Sequence, residues 1–160
     1  MKVYVVVVGK LRGPLEPAVR EFEERASRYW KLEILEVDAG LKRGGDRSAE
    51  AVRTAEGTRI TERVPQGGER WALTRTGKGL TSEALTNELH DRTLHGGGPI
   101  TFLLGGAFGL ERTLLDEAQR RISLSRMTLP HDLARLLLME QLYRAGTLLR
   151  NEPYHKGGGL

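Results

Sequence analysis

Val5, Val6, Val7 and Val8 close the almost wholly apolar run "KVYVVVVG" (residues 2–9), and β-branched side chains in such a run predict a strand buried on both faces. In "LRGPLEPAVREFEERASRYW" the period changes: Leu15, Val19, Phe22, Ala26 and Tyr29 fall on one helical face. The alternation then repeats. "KLEILEV" is a strand, and "GDRSAEAVRTAEGTRITERV" is a weaker helix whose interior Gly57 costs about 1 kcal/mol relative to alanine. "RWALTRTG" predicts a third strand. The helix after it opens at Thr81 or Ser82, both good caps, with Leu85 and Leu89 facing inward. "PITFLLGG" is the fourth strand. Beyond its glycines Leu110, Leu114, Ala118 and Ile122 share a helical stripe, "ISLSRMTL" alternates as a fifth strand, and Pro130 starts the last helix. Strict alternation of strand and helix predicts an α/β fold, a mostly parallel sheet covered by helices.

A chain of 160 residues, 39% of them hydrophobic, suits one domain around one core. It has no cysteine, which removes disulfide scaffolds, thiol nucleophiles and cysteine-based zinc sites and fits a cytoplasmic location. The four histidines, His90, His95, His131 and His155, are scattered without a ligand-type pair, so no metal is expected. No apolar run approaches the roughly 20 residues that span a bilayer, and no membrane partner is expected. The N-terminal run stops at Gly9 and Lys10 and reads as a strand, not a signal peptide. A net charge of +4 favours an anionic partner. Two glycine-rich stretches, "GLKRGGDR" and the terminal "KGGGL", are expected to be mobile.

The fourth strand runs directly into "GGAFG", and in an open parallel sheet ligands sit beyond the carboxyl ends of the strands. A dinucleotide fingerprint needs G-x-G-x-x-G after the first strand, where this chain reads "GKLRGPLE". A phosphate loop needs a Gly-Lys-Ser/Thr ending, which is absent. Taken alone, the glycines also fit a tight turn with no ligand. The third strand, however, ends in "LTRTGKG" and the fifth in "SLSRMTLPH", so three strand ends are expected to form one pocket. It would offer backbone groups and Leu73, Leu124, Met127 and Leu129 for apolar packing, with no fixed charge for a pyrophosphate. That composition suits a neutral-to-cationic adenosyl ligand.

The last helix, "HDLARLLLMEQLYRAGTLLRNEP", is apolar round most of its circumference, with Glu140, Gln141, Arg144 and Thr147 as its polar stripe. Such a helix needs burial on two sides, one against the sheet and one against a partner subunit, and a twofold dimer is the default. Burial wholly within its own domain is the competing reading. After Pro153 the tail carries Tyr154, His155 and Lys156, parts suited to stacking on a base, relaying a proton and holding a phosphate, or simply an exposed polar terminus.

"FLLGGAFGL", "SLSRMTLPHDLARLLLMEQLYRA" and "NEPYHK", in that order at the end of a chain of this length, resemble the RlmH family of SPOUT methyltransferases. The match is dense from Leu73 to Lys156 and looser before it. The resemblance implies a single SPOUT domain over residues 1–160, with a C-terminal trefoil knot, acting as a homodimer. It implies methyl transfer from S-adenosylmethionine to N3 of a pseudouridine in 23S ribosomal RNA. Carried over by position, Leu73, Gly105, Leu124, Ser125, Arg126, Met127, Thr128 and Leu129 would surround the cofactor, and the bare backbone of Gly105 and Gly106 would let it lie close. Thr74 stands where the family commonly has aspartate, and Ala107-Phe108 replaces a frequent Pro-Glu, so Phe108 has no acid-base role.

The imide N3 is a poor nucleophile until it loses its proton, so a general base or a stabilising cation is expected. On this resemblance His155 is the preferred base, Arg144 and Lys156 stabilise charge or contact RNA, and Tyr154 stacks. With no appended RNA-binding module, the chain is expected to recognise the shape of the assembled ribosome. A non-catalytic RNA-binding or assembly factor, and a SPOUT enzyme acting on transfer RNA, are the alternatives. Cofactor binding discriminates the first and the accepting RNA the second.

Overall fold

The structure is a computed structural model that describes residues 1–42 and 45–156, the side chains of His155 and Lys156 excepted. The mobility expected of residues 40–47 and 156–160 therefore falls partly outside the described residues. Among them strands and helices alternate strictly: β1 (Lys2–Val8), α1 (Glu16–Ser27), β2 (Lys31–Val37), α2 (Ala49–Arg63), β3 (Glu69–Gly79), α3 (Ser82–Leu94), β4 (Ile100–Leu104), α4 (Arg112–Glu117), β5 (Arg120–Ser123) and α5 (His131–Leu149). A short 3-10 helix, Pro153–Lys156, follows. The sheet order is β2-β1-β4-β3-β5, and every pair is parallel. This is the α/β architecture that the alternation predicts.

The period of β1 builds the two layers. Val3, Val5 and Val7 face one cluster with Trp30, Trp71, Phe102, Leu138 and Leu142, beneath α1, α3 and α5. Val6 and Val8 face the other with Ile60, Ala72, Leu103 and Leu114, beneath α2 and α4. Each fully buried large apolar side chain contributes roughly 1.5–3 kcal/mol, so a strand apolar on both faces holds both layers at once. Trp71 and Phe102 meet edge to face at 5.5 Å between centroids, and the buried Trp30 indole N–H donates to the Leu142 carbonyl at 2.8 Å. Local signals set the starts: Ser48 and Thr81 accept the Ala51 and Ala84 amides at 3.1 Å, and Pro130 precedes α5.

Three expectations change. The helix after the glycine turn ends at Glu117, so Ala118 only caps it and Ile122 lies in β5, paired with Leu73. The fifth strand is Arg120–Ser123, and residues 124–130 form a loop in spite of their alternation. The third concerns Gly57, whose cost in helix propensity has a packing reason. The side chain of Glu111 lies where its Cβ would be, so glycine is what lets α2 meet the turn before α4.

On α5, Thr147 is buried instead of exposed, its hydroxyl donating to the Arg144 carbonyl at 2.8 Å. Arg135, by contrast, is 2% exposed and donates to Glu23 and Glu36, each at 2.8 Å. Leu133, Leu136, Leu137 and Leu148 stay half-buried. No helix among the described residues is long and apolar enough to cross a membrane.

Candidate functional site

At the carboxyl ends of β3, β4 and β5 the chain forms a cleft of about 890 Å³. Each of its walls is a strand end that leaves regular geometry. Leu73 and Lys78 both register on Ile122, so residues 74–77 of β3 loop outward before rejoining β5. Gly77 permits this, because a Cβ there would lie 2.6 Å from the Ile122 carbonyl carbon. Thr74 and Arg75 are thereby pushed to the cleft wall.

The second wall is the turn after β4. Gly109 donates its N–H to the Gly106 carbonyl at 3.0 Å and holds φ at +79°, a conformation that disfavours side chains. A Cβ on Gly105 would lie 2.5 Å from the Gly109 carbonyl carbon, and one on Gly106 would meet Glu56 and Val8. The bare backbone makes room first for the protein itself. Phe108 stands out of the turn, half exposed.

The third wall is the loop 124–130, which crosses from β5 at the sheet edge back to the end of β1, where His131 packs beside Gly9. The Ser125 hydroxyl accepts the Met127 amide at 3.0 Å, and the Ser123 hydroxyl donates to the Ser125 carbonyl at 2.9 Å. Met127 is 77% exposed, so it and Phe108 present two large apolar side chains at the mouth.

Leu73, Gly105, Leu124, Ser125, Met127, Thr128 and Leu129 all line this cleft, as the sequence reading expects of a cofactor site; Arg126 is exposed and does not. The expectation of a pocket without fixed charge is corrected, since Arg53, Arg75 and Arg112 line it too. Arg75 could have been read from its place in a strand-end loop. Arg53 reaches the cleft from mid-helix on α2, which only the packing reveals. His131, at the first position of α5, also lines it, with Nε2 2.7 Å from Asp132 Oδ1.

The chain belongs to the SPOUT methyltransferase family. A sequence profile described as "Predicted SPOUT methyltransferase" matches residues 1–155. The proteins named "Ribosomal RNA large subunit methyltransferase H" of Ruminiclostridium cellulolyticum and Anaeromyxobacter sp. are 40% and 44% identical to it, each over 98% of this chain and 100% of the relative. That of Clostridioides difficile is 38% identical over the same shares.

Two of the residues expected to do the chemistry, Tyr154 and Arg144, sit elsewhere in this SPOUT chain. Tyr154 donates its hydroxyl to Glu140 Oε1 at 3.1 Å and packs tilted against Tyr143 with centroids 4.5 Å apart, while the Arg144 guanidinium lies 4.9 Å over the Tyr154 ring and bonds Glu140 at 3.0 Å. The Glu140 hydrogen bond holds Arg144 above its ordinary pKa, and burial with the Glu140 charge pushes the Tyr154 phenol up. Both therefore keep their protons at neutral pH. Neither lines the cleft, and the side chains of His155 and Lys156 lie outside the described residues.

Proposed function

We propose that this protein transfers a methyl group from S-adenosylmethionine to N3 of a pseudouridine in large-subunit ribosomal RNA, on the assembled ribosome, in the cytoplasm. The observation that carries the reading is the cleft itself, where seven of the residues expected to surround the cofactor converge at three strand ends. Its chemistry fits such a group. Leu73, Leu124 and Leu129 supply apolar packing, backbone at Gly105 and Gly106 supplies hydrogen-bonding groups, and Phe108 and Met127 can cover a flat ring. When bound, the cofactor supplies an electrophilic methyl group.

The protein's own residues then have two tasks. One is to hold the pseudouridine in line with the methyl, which by orientation alone removes much of the barrier. The other is to take the N3 proton, the role we assign to His155, with Arg144 and Lys156 stabilising the resulting anion and Tyr154 stacking on the base. Tyr154 and Arg144 stand apart from the cleft of their own chain, which supports a composite site in a homodimer, each tail serving the partner's cleft. The half-buried leucines of α5 support the same assembly. The return of residues 124–130 across the strand ends supports the trefoil path of a single knotted domain. Arg53, Arg75 and Arg112 at the cleft, and exposed Arg126 beside it, suit an RNA backbone.

The test mixes the protein and labelled S-adenosylmethionine with ribosomes from cells lacking this activity, followed by reverse transcription of the large RNA. A new stop at one pseudouridine, with label incorporated, is the expected result. Label without that stop discards the target, and no label in ribosomal or transfer RNA leaves a binding factor. A chain cut after Asn151 is expected to bind the methyl donor and to lose turnover.

A further inference from the structure

Glu56 on α2 is a buried carboxyl group with no cationic partner among the described residues. It is 3% exposed, its Oε1 accepts the Gly40 N–H at 2.8 Å, and its Oε2 meets no hydrogen-bond partner among the described residues. No lysine or arginine among them forms an ion pair with it. Arg59, one turn on, is engaged by the carbonyls of Asp38 and Gly40 at 2.8 and 2.6 Å. A buried carboxylate with one oxygen unmatched is unfavourable, and none of the described residues compensates it, so a ligand that brings a positive charge would be favoured there.

The place of that partner is set by Gly106. A Cβ there would lie 2.8 Å from Glu56 Oε2 and 2.9 Å from Oε1, so the carboxylate fills the place of the missing side chain on a residue that lines the cleft. Every fully charged side chain lining the cleft is cationic, namely Arg53, Arg75 and Arg112. Those arginines suit a phosphate and oppose a sulfonium. A site for both needs a negative charge near the second.

We propose that Glu56 is the counter-charge for the sulfonium of the methyl donor, acting through the side-chain-free floor of the cleft at Gly106. The inference rests on the methyl-donor reading given above. Glu56 attracts across protein, not water, where a charge acts at longer range. It thereby favours the positively charged donor over the neutral thioether left after transfer, and so favours exchange of product for donor.

The experiment compares wild type with Glu56→Gln, which keeps an acceptor for the Gly40 amide and removes the charge. Calorimetric Kd values are measured for S-adenosylmethionine and S-adenosylhomocysteine, and the melting temperature is taken without ligand. The expected result is a shift of the Kd ratio against the donor by about tenfold, with a ligand-free melting temperature at or above wild type. The ratio is unaffected by partial unfolding, which scales both constants alike. An unchanged ratio overturns the proposal, and a lowered melting temperature beside it marks Glu56 as structural. If wild type binds neither compound, it is the methyl-donor reading that fails.

Discussion

Under α5, the buried guanidinium of Arg135 is tied to Glu23 on α1 and Glu36 on β2, three elements clamped by one cation. At the cleft the same residue type behaves differently: among the described residues Arg53 and Arg75 make no ion pair, Arg112 reaches only Asp116 at 3.4 Å, and the buried Glu56 pairs with no cation. Around Arg135 the charges are resolved internally, as the burial of a charge requires. The cleft leaves charges of both signs unmatched. Such local inconsistency costs stability, and sequences retain it where a ligand completes the set.

If that contrast holds, perturbing the packing around Arg135 and under α5 changes stability and spares donor binding, whereas perturbing the cleft does the reverse. The largest effect is expected from Arg135→Met, which leaves Glu23 and Glu36 only the exposed Arg20 as a cationic partner and should lower unfolding free energy by about 3 kcal/mol. Chemical denaturation measures this, and donor affinity of the folded fraction should be unchanged. Replacing Glu23 and Glu36 by glutamine as well should restore most of the loss; a triple variant as unstable as the single would break the comparison.

Next come two glycines. A Cβ on Gly146 would lie 2.2 Å from Tyr29 Cγ, so Gly146→Ala should cost about 1–3 kcal/mol by overpacking and leave the cleft intact. A Cβ on Gly105 meets the Gly109 carbonyl carbon at 2.5 Å and must displace the turn. Gly105→Ala should therefore weaken donor binding by about tenfold or more, for a displacement costing about 1–3 kcal/mol. Equal losses of affinity in both variants would erase the distinction.

Smaller still is Arg75→Gln. Stability should move by no more than about 0.5 kcal/mol, while the slope of log affinity for RNA against log salt should shrink by about 0.7–0.9. An unaltered slope would remove Arg75 from the RNA contact.

The mildest test uses pH on the α5 side. Burial, then the hydrogen bond to Glu152, pushes the Tyr29 phenol up to about 12 from its ordinary value of 10. The unfolded chain therefore loses this proton first, and the stability contributed by protonated Tyr29 is lost as pH rises from 10 towards 12. Tyr29→Phe should flatten that part of the curve, as denaturation at stepped alkaline pH would report.

Local pattern placed most elements. β2 lies at Lys31–Val37 as its run of residues indicates, Thr81 caps α3 and Pro130 opens α5, because β-branched runs, hydroxyl caps and proline act on the residues beside them. The first clear miss has the same origin. Leu110, Leu114 and Ile122 satisfy a helical stripe, yet Ile122 is taken by β5 because Leu73 of β3 offers it a parallel ladder from far away in sequence. Propensity over a four-residue strand cannot compete with that pairing.

The chain by itself determined the α/β alternation, the caps, the glycine turn and, through its closing motifs, the family. Only tertiary structure decided which charges meet. Nothing in "RTAEGTRI" distinguishes Glu56 from a solvated helix residue, or makes Gly57 the seat of Glu111, and nothing in "HDLARLL" singles out Arg135 for burial. The helical period fixes which face a residue occupies. What lies opposite that face depends on the strand order β2-β1-β4-β3-β5, which brings residues far apart in the chain within a few ångströms, and electrostatic pairing is settled by that distance and by the medium between the charges.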